Sequence, residues 1–515
     1  MQQSDFLTIL GLALAVWAII PSKERRFILL FFSKFEAGTF ITSIFLVHYL
    51  MTFDWLVKNW FPCLTIFTFE NGIPSSTWAY ILALAVIFYP IIKVSCGYFS
   101  PSKITNMIGL YETYLKENEI DLLVAYISKY HIIDIKKYLQ GVSNLPQKES
   151  IDIILRRRAD KDKAYEKLVE PQRIRFASWV YGHIIQNEIF IRKAANKYPE
   201  LFASVICGME TKEAASQDFV KLYIECLFNS KNQMFVQELK IINGKSSSVV
   251  EINENIDIPI LFSLFAHTNA AAGNYVWYPV GEETVKSLKH DHLQKEFLIR
   301  KYDHYLETEL WNQKIHIGIA YFHYMVRETI YRNNGWHMHL FYYGHFMELL
   351  IEIIPIANDY DEDSAYPSIA HKMISEQFKI MIGWLELAKE QETAHRVIDT
   401  IRCLGLCIHS ICQADSSKIS KKFRRVQFDL ILSTYFNFSN YPDNIAANTS
   451  RTWLEKLFLN PKGLDRGTPV RTDEYVLAIK DAWNEFDKIY YEFIEDNGSF
   501  KHFETTVAIP IGLNE

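Results

Sequence analysis

Histidines are concentrated between residues 290 and 352, where half of the chain's sixteen fall. Leu293–Tyr331 contains no proline, and its apolar residues recur every three or four positions, which predicts one long helix. Asn333–Gly335 supplies a turn, and His337–Ile354 predicts a second helix. This stretch therefore predicts a helical hairpin that is rich in imidazole groups.

Six side chains on the predicted hairpin have the chemistry and spacing of metal ligands. They are Glu309, His316 and His323 on the first arm and His345, Glu348 and Glu352 on the second. Steps of three, four and seven residues place the ligands of each arm on one helix face. If the two faces meet, three imidazoles and three carboxylates could surround a metal ion, as in sites built inside helix bundles.

Structural packing is the favoured interpretation of the same residues, with a small-ligand pocket and the metal site as alternatives. Arg327 lies one turn beyond His323, where its guanidinium would repel a cation and pair well with a carboxylate of the other arm. Tyrosines interleave with the histidines, as expected of an aromatic interface held by hydrogen bonds. No cofactor is therefore expected.

A second candidate for metal chemistry is Glu238 with Lys240, because metal-dependent nucleases place an acid-x-lysine motif at a strand edge. Leu239–Ile242 and Val249–Ile252 flank a polar stretch and predict a small β-hairpin over residues 238–253. The upstream aspartate of such a site is missing. A metal-dependent hydrolase or nuclease is therefore the alternative function and not the preferred one.

A basic cluster with no intervening acid offers binding instead of catalysis. It consists of Lys418, Lys421, Lys422, Arg424 and Arg425. It follows a predicted helix N-cap at Ser416 or Ser417. Cations are unfavourable near a helix N-terminus, so the cluster predicts an anion there, such as an anionic lipid, a nucleotide or RNA, with a solvated surface as the alternative. The net charge of -6 argues against a globally basic nucleic-acid binder, and no sequence-specific DNA binding is expected.

Three apolar runs precede Phe99, and they determine where the rest of the chain lies relative to a membrane. Phe6–Ile20, Ala37–Phe53 and Asn71–Ile92 predict transmembrane helices over about 6–20, 37–57 and 73–95, in a transmembrane region 1–98. The first run is the least secure, since about 15 residues are short for a ~30 Å hydrocarbon core. The lipid bilayer is therefore the first predicted partner.

Basic residues beside the runs predict their orientation. Lys23, Arg25, Arg26 and Lys34 lie between the first two runs, whereas only Lys58 lies between the second and third. Loops rich in Lys and Arg stay in the cytoplasm. We therefore expect a multi-pass protein of the cell (inner) membrane with its N-terminus outside, Cys63 outside and the chain after Phe99 cytoplasmic.

Small residues in the first two runs predict close helix contacts and a homo-oligomer. They are Gly11, Ala13, Ala15, Ala37 and Gly38.

The remaining ~415 residues show helical periodicity with little else. We predict a mainly α-helical cytosolic region with minor β structure, divided into a juxtamembrane helical segment 99–150, a central helical domain 151–356 and a C-terminal helical domain 368–515. Cys403 and Cys407 lie four residues apart with no second ligand pair, which favours buried core thiols over a zinc site.

No catalytic spacing stands out, so the chain is interpreted as a non-enzymatic protein: a membrane anchor or part of an oligomeric pore, coupled to a helical domain that senses or binds a protein partner or an anionic ligand. In layout alone, it resembles bacterial membrane-anchored effectors of anti-phage defence. That likeness is one of architecture, and architecture does not imply function.

Overall fold

The computed structural model describes residues 17–60, 74–96, 103–143, 169–207, 214–229, 234–245, 258–266, 275–332, 340–355, 366–461, 472–486 and 498–513, together with residues 11 and 15. Every regular element in these ranges is helical, and none of them contains a strand. The mainly helical prediction is confirmed. The chain divides into two compact units, Met1–Phe190 and Ile191–Glu515.

The first unit contains seven described helices before the division. They are α1 Ser22–Leu29, α2 Lys34–Lys58, α3 Ser75–Cys96, α4 Ile104–Lys116, α5 Ile120–Tyr126, α6 Ile132–Ser143 and α7 Val169–Val180. A π-helical turn, Ile127–His131, joins α5 to α6, and another, Tyr181–Ile185, extends α7. The division at residue 190 falls inside the next helix, α8 Glu188–Ala194.

Two described helices, α2 and α3, are long and apolar enough to cross a membrane by length and composition, the second of them over Ser75–Ser95. Only 17% and 11% of the residues in their most apolar windows are buried. They coincide with the predicted spans 37–57 and 73–95. The predicted span 6–20 lies largely outside the described residues, so two candidate spans stand in this part of the chain.

The hairpin of α2 and α3 is held by a narrow apolar strip. Val47 and Leu50 of α2 pack against Ala79 and Ala83 of α3, and all four are buried. Alanines four residues apart leave no bulky side chain between the backbones, so the helices approach closely. Much of the remaining surface of both helices is exposed, including Phe45 and Phe88.

Polar contacts lie at the two ends of this hairpin. Asp54 accepts a hydrogen bond from the Ser75 hydroxyl at 3.1 Å. At the other end Glu36 accepts from Tyr89 at 2.5 Å and pairs with Lys93. These contacts join the beginning of α2 to the end of α3, so the two helices are antiparallel.

Helix α1 packs onto α4 and α5 by aromatic stacking and ion pairs. The ring of Phe27 stacks on Tyr126, with centroids 3.6 Å apart. The Lys23 ammonium pairs with Glu119. The backbone carbonyl of Lys23 accepts a hydrogen bond from the Tyr114 hydroxyl at 2.9 Å. The segment between the first two apolar runs is thereby attached to the segment that follows the third.

The second unit is built from helices throughout its described residues. After α8 they are α9 Pro199–Cys207, α10 Ala214–Phe228, α11 Met234–Lys245, α12 Pro259–Ala266, α13 Trp277–His290, α14 His292–Leu298, α15 Glu307–Leu310, α16 Lys314–Tyr331, α17 Leu340–Ile353, α18 Ile369–Glu390, α19 Ala394–Gln413, α20 Lys421–Ser439, α21 Ile445–Leu459, α22 Asp473–Glu485, α23 Gly498–Phe503 and α24 Ile509–Ile511. The predicted boundary near residue 150 lies in the first unit, and the predicted boundary 357–367 lies in the second.

The predicted β-hairpin over 238–253 is wrong in its first half, because residues 234–245 form helix α11. Phe235, Glu238, Leu239 and Ile242 are buried, and their steps of three and four residues define a helix face. A short apolar run is compatible with a strand or a helix, and here burial of one helix face favours the helix. Val249–Ile252 lies outside the described residues.

The first arm of the predicted histidine hairpin is also not one helix. It is broken into α14, α15 and α16. Asp291 and Asp303 accept hydrogen bonds from nearby backbone N–H groups and so start new helical turns. Glu309 consequently belongs to a different helix from His316, and the seven-residue spacing no longer places both on one face.

Helices α13, α16 and α17 approach so closely that glycine is needed at the contacts. A Cβ atom on Gly281 would lie 2.3 Å from Cζ of Tyr342, and one on Gly318 would lie 2.4 Å from Oγ1 of Thr284. Both distances are far below van der Waals contact. The ring of Tyr342 is held in place by stacking on Phe322, with centroids 5.6 Å apart.

Gly281→Ala is predicted to destabilise the second unit. The added methyl group forces the Tyr342 ring out of its stack, and overpacking of this kind lowers the free energy of unfolding by about 1–3 kcal/mol. Chemical denaturation of the detergent-purified protein, followed by tryptophan fluorescence, measures the change.

Gly383→Ala is the matched control, because Gly383 lies inside α18 with no atom within 4 Å of the added Cβ. Alanine there is expected to raise the stability by roughly 0.5–1 kcal/mol through its higher helix propensity. Equal effects of the two substitutions would show that the α13–α17 contact is not tight.

Candidate functional site

The six predicted metal ligands are all described, and the structure does not gather them into one site. Within the described ranges, no group of three or more His, Cys, Asp or Glu side chains lies close enough to hold a metal ion. Glu309 is exposed on α15. On α17, His345 lies 3.6 Å from Glu348, and both are partly exposed. Glu352 is exposed and uses its backbone carbonyl to accept from Lys418 at 3.3 Å.

His323 points into an aromatic contact between α16 and α18. Its Nδ1 accepts a hydrogen bond from the indole Nε1 of Trp384 at 3.1 Å. The two rings stack, and Tyr324 packs beside them. Burial and, to a smaller extent, the positive charge of Arg327 together lower the pKa of His323 to about 3. The side chain is therefore a neutral imidazole whose Nδ1 lone pair is already engaged.

His316 lies two turns before His323 on α16 and also packs against an aromatic ring. Its ring lies edge-on to Trp311, with centroids 4.6 Å apart. Burial lowers its pKa to about 4 against the opposing effect of Glu307. Lys240, whose ammonium lies 5.9 Å from the centroid of the Trp311 ring, also disfavours the charged form. Both histidines of this arm are packing residues with depressed basicity.

Sequence reasoning missed His371, whose two ring nitrogens both have hydrogen-bond partners in the structure. Its Nδ1 accepts from the Ser368 hydroxyl at 2.8 Å, and its Nε2 donates to the carbonyl of Lys418 at 3.0 Å. Burial lowers its pKa to about 4. Ser368 is also the N-cap of α18. The Ser-x-x-His spacing at a helix start was the available signal, and it links α18 to the segment before α20.

The basic cluster is divided between structural and exposed members. Arg424 is buried and donates to the carbonyls of Ile411 and Ala414 at 3.1 and 2.5 Å, so it satisfies the end of α19. Arg425 pairs with Glu485 and lies 3.8 Å from Asp429. Both arginines therefore have protein partners, and Lys418 also donates to the Glu352 carbonyl at 3.3 Å.

The other three cations surround the start of α20, which the structure places later than predicted. Its N-cap is Ser420, whose hydroxyl accepts from the backbone N–H of Phe423 at 3.1 Å. Lys418 precedes it, while Lys421 and Lys422 are exposed in the first turn. Ser417 is instead held in a turn by Asp415 at 2.8 Å, which postpones the helix. Ser416 and Ser417 were therefore the wrong caps.

The proposed nuclease pair has a structural use as well. The Glu238 carboxylate is buried and accepts hydrogen bonds from the backbone N–H groups of Ile260 and Leu261 at 3.2 and 2.8 Å. These N–H groups belong to the first turn of α12, where the helix leaves donors without partners. Glu238 therefore caps a neighbouring helix, and it lies on a helix and not at a strand edge.

Cys403 and Cys407 lie on α19 and are both buried. The Cys403 thiol donates to the carbonyl of Leu340 at 3.4 Å. A side-chain hydrogen bond of Cys407 to Cys403 and burial raise the pKa of Cys407. Both side chains therefore lie in an apolar contact between α17 and α19.

Comparison with known proteins adds no family: the chain matches no family model, no curated protein and no solved structure. Function must therefore be inferred from the residues alone.

The largely desolvated His323 predicts acid sensitivity of the second unit. Because folding lowers the pKa of His323 from about 6.5 to about 3, its stabilising contribution is complete above pH 6.5 and is lost as the pH falls towards 3. At pH 5 this residue alone costs about 2 kcal/mol relative to pH 7. Chemical denaturation at the two pH values measures the loss.

His323→Asn should reduce this pH dependence, because the amide oxygen replaces Nδ1 as an acceptor and does not titrate in this range. The exposed His290→Asn is the control and should retain the wild-type difference between pH 7 and pH 5. An unchanged pH dependence in His323→Asn would refute the assignment of a neutral imidazole at this position.

Proposed function

We propose that this protein is a membrane-anchored, non-enzymatic interaction protein whose hairpin α2–α3 spans the bilayer and whose helix α1 and helices from α4 onwards face the cytoplasm. The observation that carries the proposal is the outward-facing apolar surface of both hairpin helices. Phe45 of α2 is 70% exposed and Phe88 of α3 is 53% exposed. Contiguous apolar surface of this extent is rare on soluble proteins and suits a hydrocarbon environment.

The positions of charged groups support the same arrangement. Between Glu36 and Asp54 of α2 the only ionisable side chains are His48 and the phenol of Tyr49, and acidic groups lie at the ends of the hairpin. Charged groups near a span end are tolerated because they reach the interface. A third span over residues 6–20 is part of the proposal.

The contact of α1 with α4 and α5 indicates that the segments before and after the hairpin lie on the same side of the membrane. α1 carries Lys23, Arg25 and Arg26, and it packs against helices that follow the hairpin. Segments in contact must lie on the same side of a membrane, and the excess of basic residues favours the cytoplasm as that side.

This contact also suggests how binding could reach the membrane. A cytoplasmic partner or anionic ligand that shifts α4 or α5 would displace α1, which is joined to α2 through only four residues, 30–33. We therefore propose an oligomeric membrane effector that senses a partner in the cytoplasm. Bacterial anti-phage effectors are analogous in layout only.

The alternative, a membrane-tethered metal-dependent hydrolase or nuclease, depends on side chains that are engaged elsewhere. Glu238 caps α12, and His323 accepts from Trp384. An enzyme interpretation would need a different set of residues, so we favour the interaction protein.

Cysteine labelling in intact bacterial cells tests the anchoring and its orientation. A membrane-impermeant maleimide is expected to label Cys63 from outside. A cysteine introduced at the exposed Lys421→Cys position should be labelled only after the cells are permeabilised.

Cys63→Ser controls for labelling of other thiols and should abolish the signal in intact cells. Labelling of Lys421→Cys but not Cys63 in intact cells would show that the topology is the reverse of the proposed one. Release of the protein by alkaline extraction of membranes would refute the anchoring itself.

Phe27→Ala is predicted to weaken the packing of α1 on α4 and α5 without affecting membrane insertion of the hairpin. Phe27 is buried against Tyr126, and truncation of a buried phenylalanine costs about 3 kcal/mol or more. Amide hydrogen exchange in helices α4 and α5 should accelerate by roughly a hundredfold, as measured by mass spectrometry of the membrane-embedded protein.

Leu29→Ala is the matched control, because Leu29 lies on the same helix but is 54% exposed. It should accelerate exchange much less than Phe27→Ala. Equal exchange in the two variants would show that α1 is not coupled to α4 and α5.

A further inference from the structure

One face of α2 points away from α3 and has the spacing of a helix-dimer contact. Its residues follow one another at steps of three and four, and we call this face the outer seam: Gly38, Ile41, Phe45, His48, Thr52 and Trp55. Alternating steps of three and four residues keep side chains on one stripe of a left-handed helix pair. Helix α3 contacts α2 on the other side, through Val47 and Leu50.

His48 distinguishes the outer seam from the other exposed apolar surfaces. It lies within about 3 Å of the midpoint of the 25-residue helix, taking a rise of ~1.5 Å per residue. Its side chain is exposed, and among the described residues it has no hydrogen-bond or ion-pair partner. A spanning helix would therefore hold an unpaired imidazole at the middle of the hydrocarbon.

The neighbouring hydroxyl groups do not share this problem. The Thr52 hydroxyl donates to the carbonyls of His48 and Tyr49 at 3.1 Å. The Thr42 hydroxyl donates to the carbonyl of Gly38 at 2.9 Å. Since these groups are satisfied within the helix, the ring of His48 is the polar group on this face that requires a partner from elsewhere.

We propose that the outer seam binds the outer seam of a second copy of this chain, with the two His48 rings in contact. This inference rests on the proposed function, because only in a bilayer does an exposed imidazole at this position lack water. Copies inserted with the same topology place identical residues at the same depth, so a two-fold contact along the membrane normal pairs each residue with itself.

A neutral imidazole is suited to such self-pairing. It carries one N–H donor and one acceptor nitrogen, so one ring can donate to the other without a net charge. Gly38 lies at the cytoplasmic end of the seam. A Cβ atom added there would have no neighbour within 4 Å, which leaves room for a second helix. Phe45 and Ile41 supply apolar contact between Gly38 and His48.

Disulfide crosslinking in native membranes tests the seam directly. In a Cys63→Ser/Cys96→Ser background, Phe45→Cys is expected to form a disulfide-linked dimer under mild oxidation. Phe40→Cys is the matched control: it replaces the same residue type five residues away, about 140° around the helix, where the side chain is 39% exposed. It should crosslink little.

Substitution of His48 tests the polar contact. His48→Leu should weaken dimerisation in detergent by about three- to tenfold, the range expected for one hydrogen bond between membrane helices, whereas His48→Asn, which keeps a donor and an acceptor, should retain most of it. Fluorescence energy transfer between labelled copies, measured against detergent concentration, provides the dissociation constants. Equal dimerisation of all three proteins would overturn the role of His48.

The outcomes separate this inference from the proposed function. Failure of the protein to sediment with membranes would refute anchoring and, with it, the seam. A membrane-inserted protein in which Phe45→Cys and Phe40→Cys crosslink equally, or not at all, would refute the seam alone. An intrachain disulfide between Ala15→Cys and Phe45→Cys without dimer would show that the first apolar run covers His48 instead, which also overturns the inference.

Discussion

Outward-facing apolar side chains on both helices of the α2–α3 hairpin are the constraint on which the first unit depends. The helices bury only a strip around Val47, Leu50 and Ala83 against each other, and that strip cannot shield the rest of their circumference. Water solvates such a surface poorly, so the hairpin needs an apolar surrounding, which we propose to be the bilayer. The same requirement explains why polar contacts such as that of Asp54 with Ser75 lie at the ends of the hairpin, and why His48 stands out in its middle.

Desolvation also governs the second unit, where it acts on histidines. His323 lies against an indole, and His371 is held by a hydroxyl and a carbonyl. In both places the neutral ring is retained because a charged one would lose its hydration without gaining a carboxylate in return. The histidine-rich stretch is therefore better understood as aromatic packing with directed hydrogen bonds. Its chemistry is structural: each ring exchanges water for a specific neighbouring donor or acceptor.

Charged residues that looked like site residues turned out to complete helix ends. Glu238 accepts the N–H groups at the start of α12, and Arg424 donates to the carbonyls at the end of α19. A helical protein of this size has many ends, each with four donors or four acceptors that the helix itself leaves unpaired. A carboxylate or guanidinium near such an end in space is stabilised there even when it is far away in sequence. Motif spacing along one segment cannot reveal that neighbour.

The sequence by itself determined the helical class, the apolar hairpin helices near 37–57 and 73–95, and the buried state of Cys403 and Cys407. Each of these follows from local composition and a repeat of three to four residues, which a single segment carries in full. Only the tertiary structure decided that Glu238 lies on a helix, that Glu309 is separated from His316, and that Arg424 is buried. Those outcomes depend on which distant backbone groups need partners and which helix faces become buried, and both are properties of contacts between segments that no periodicity within one segment encodes.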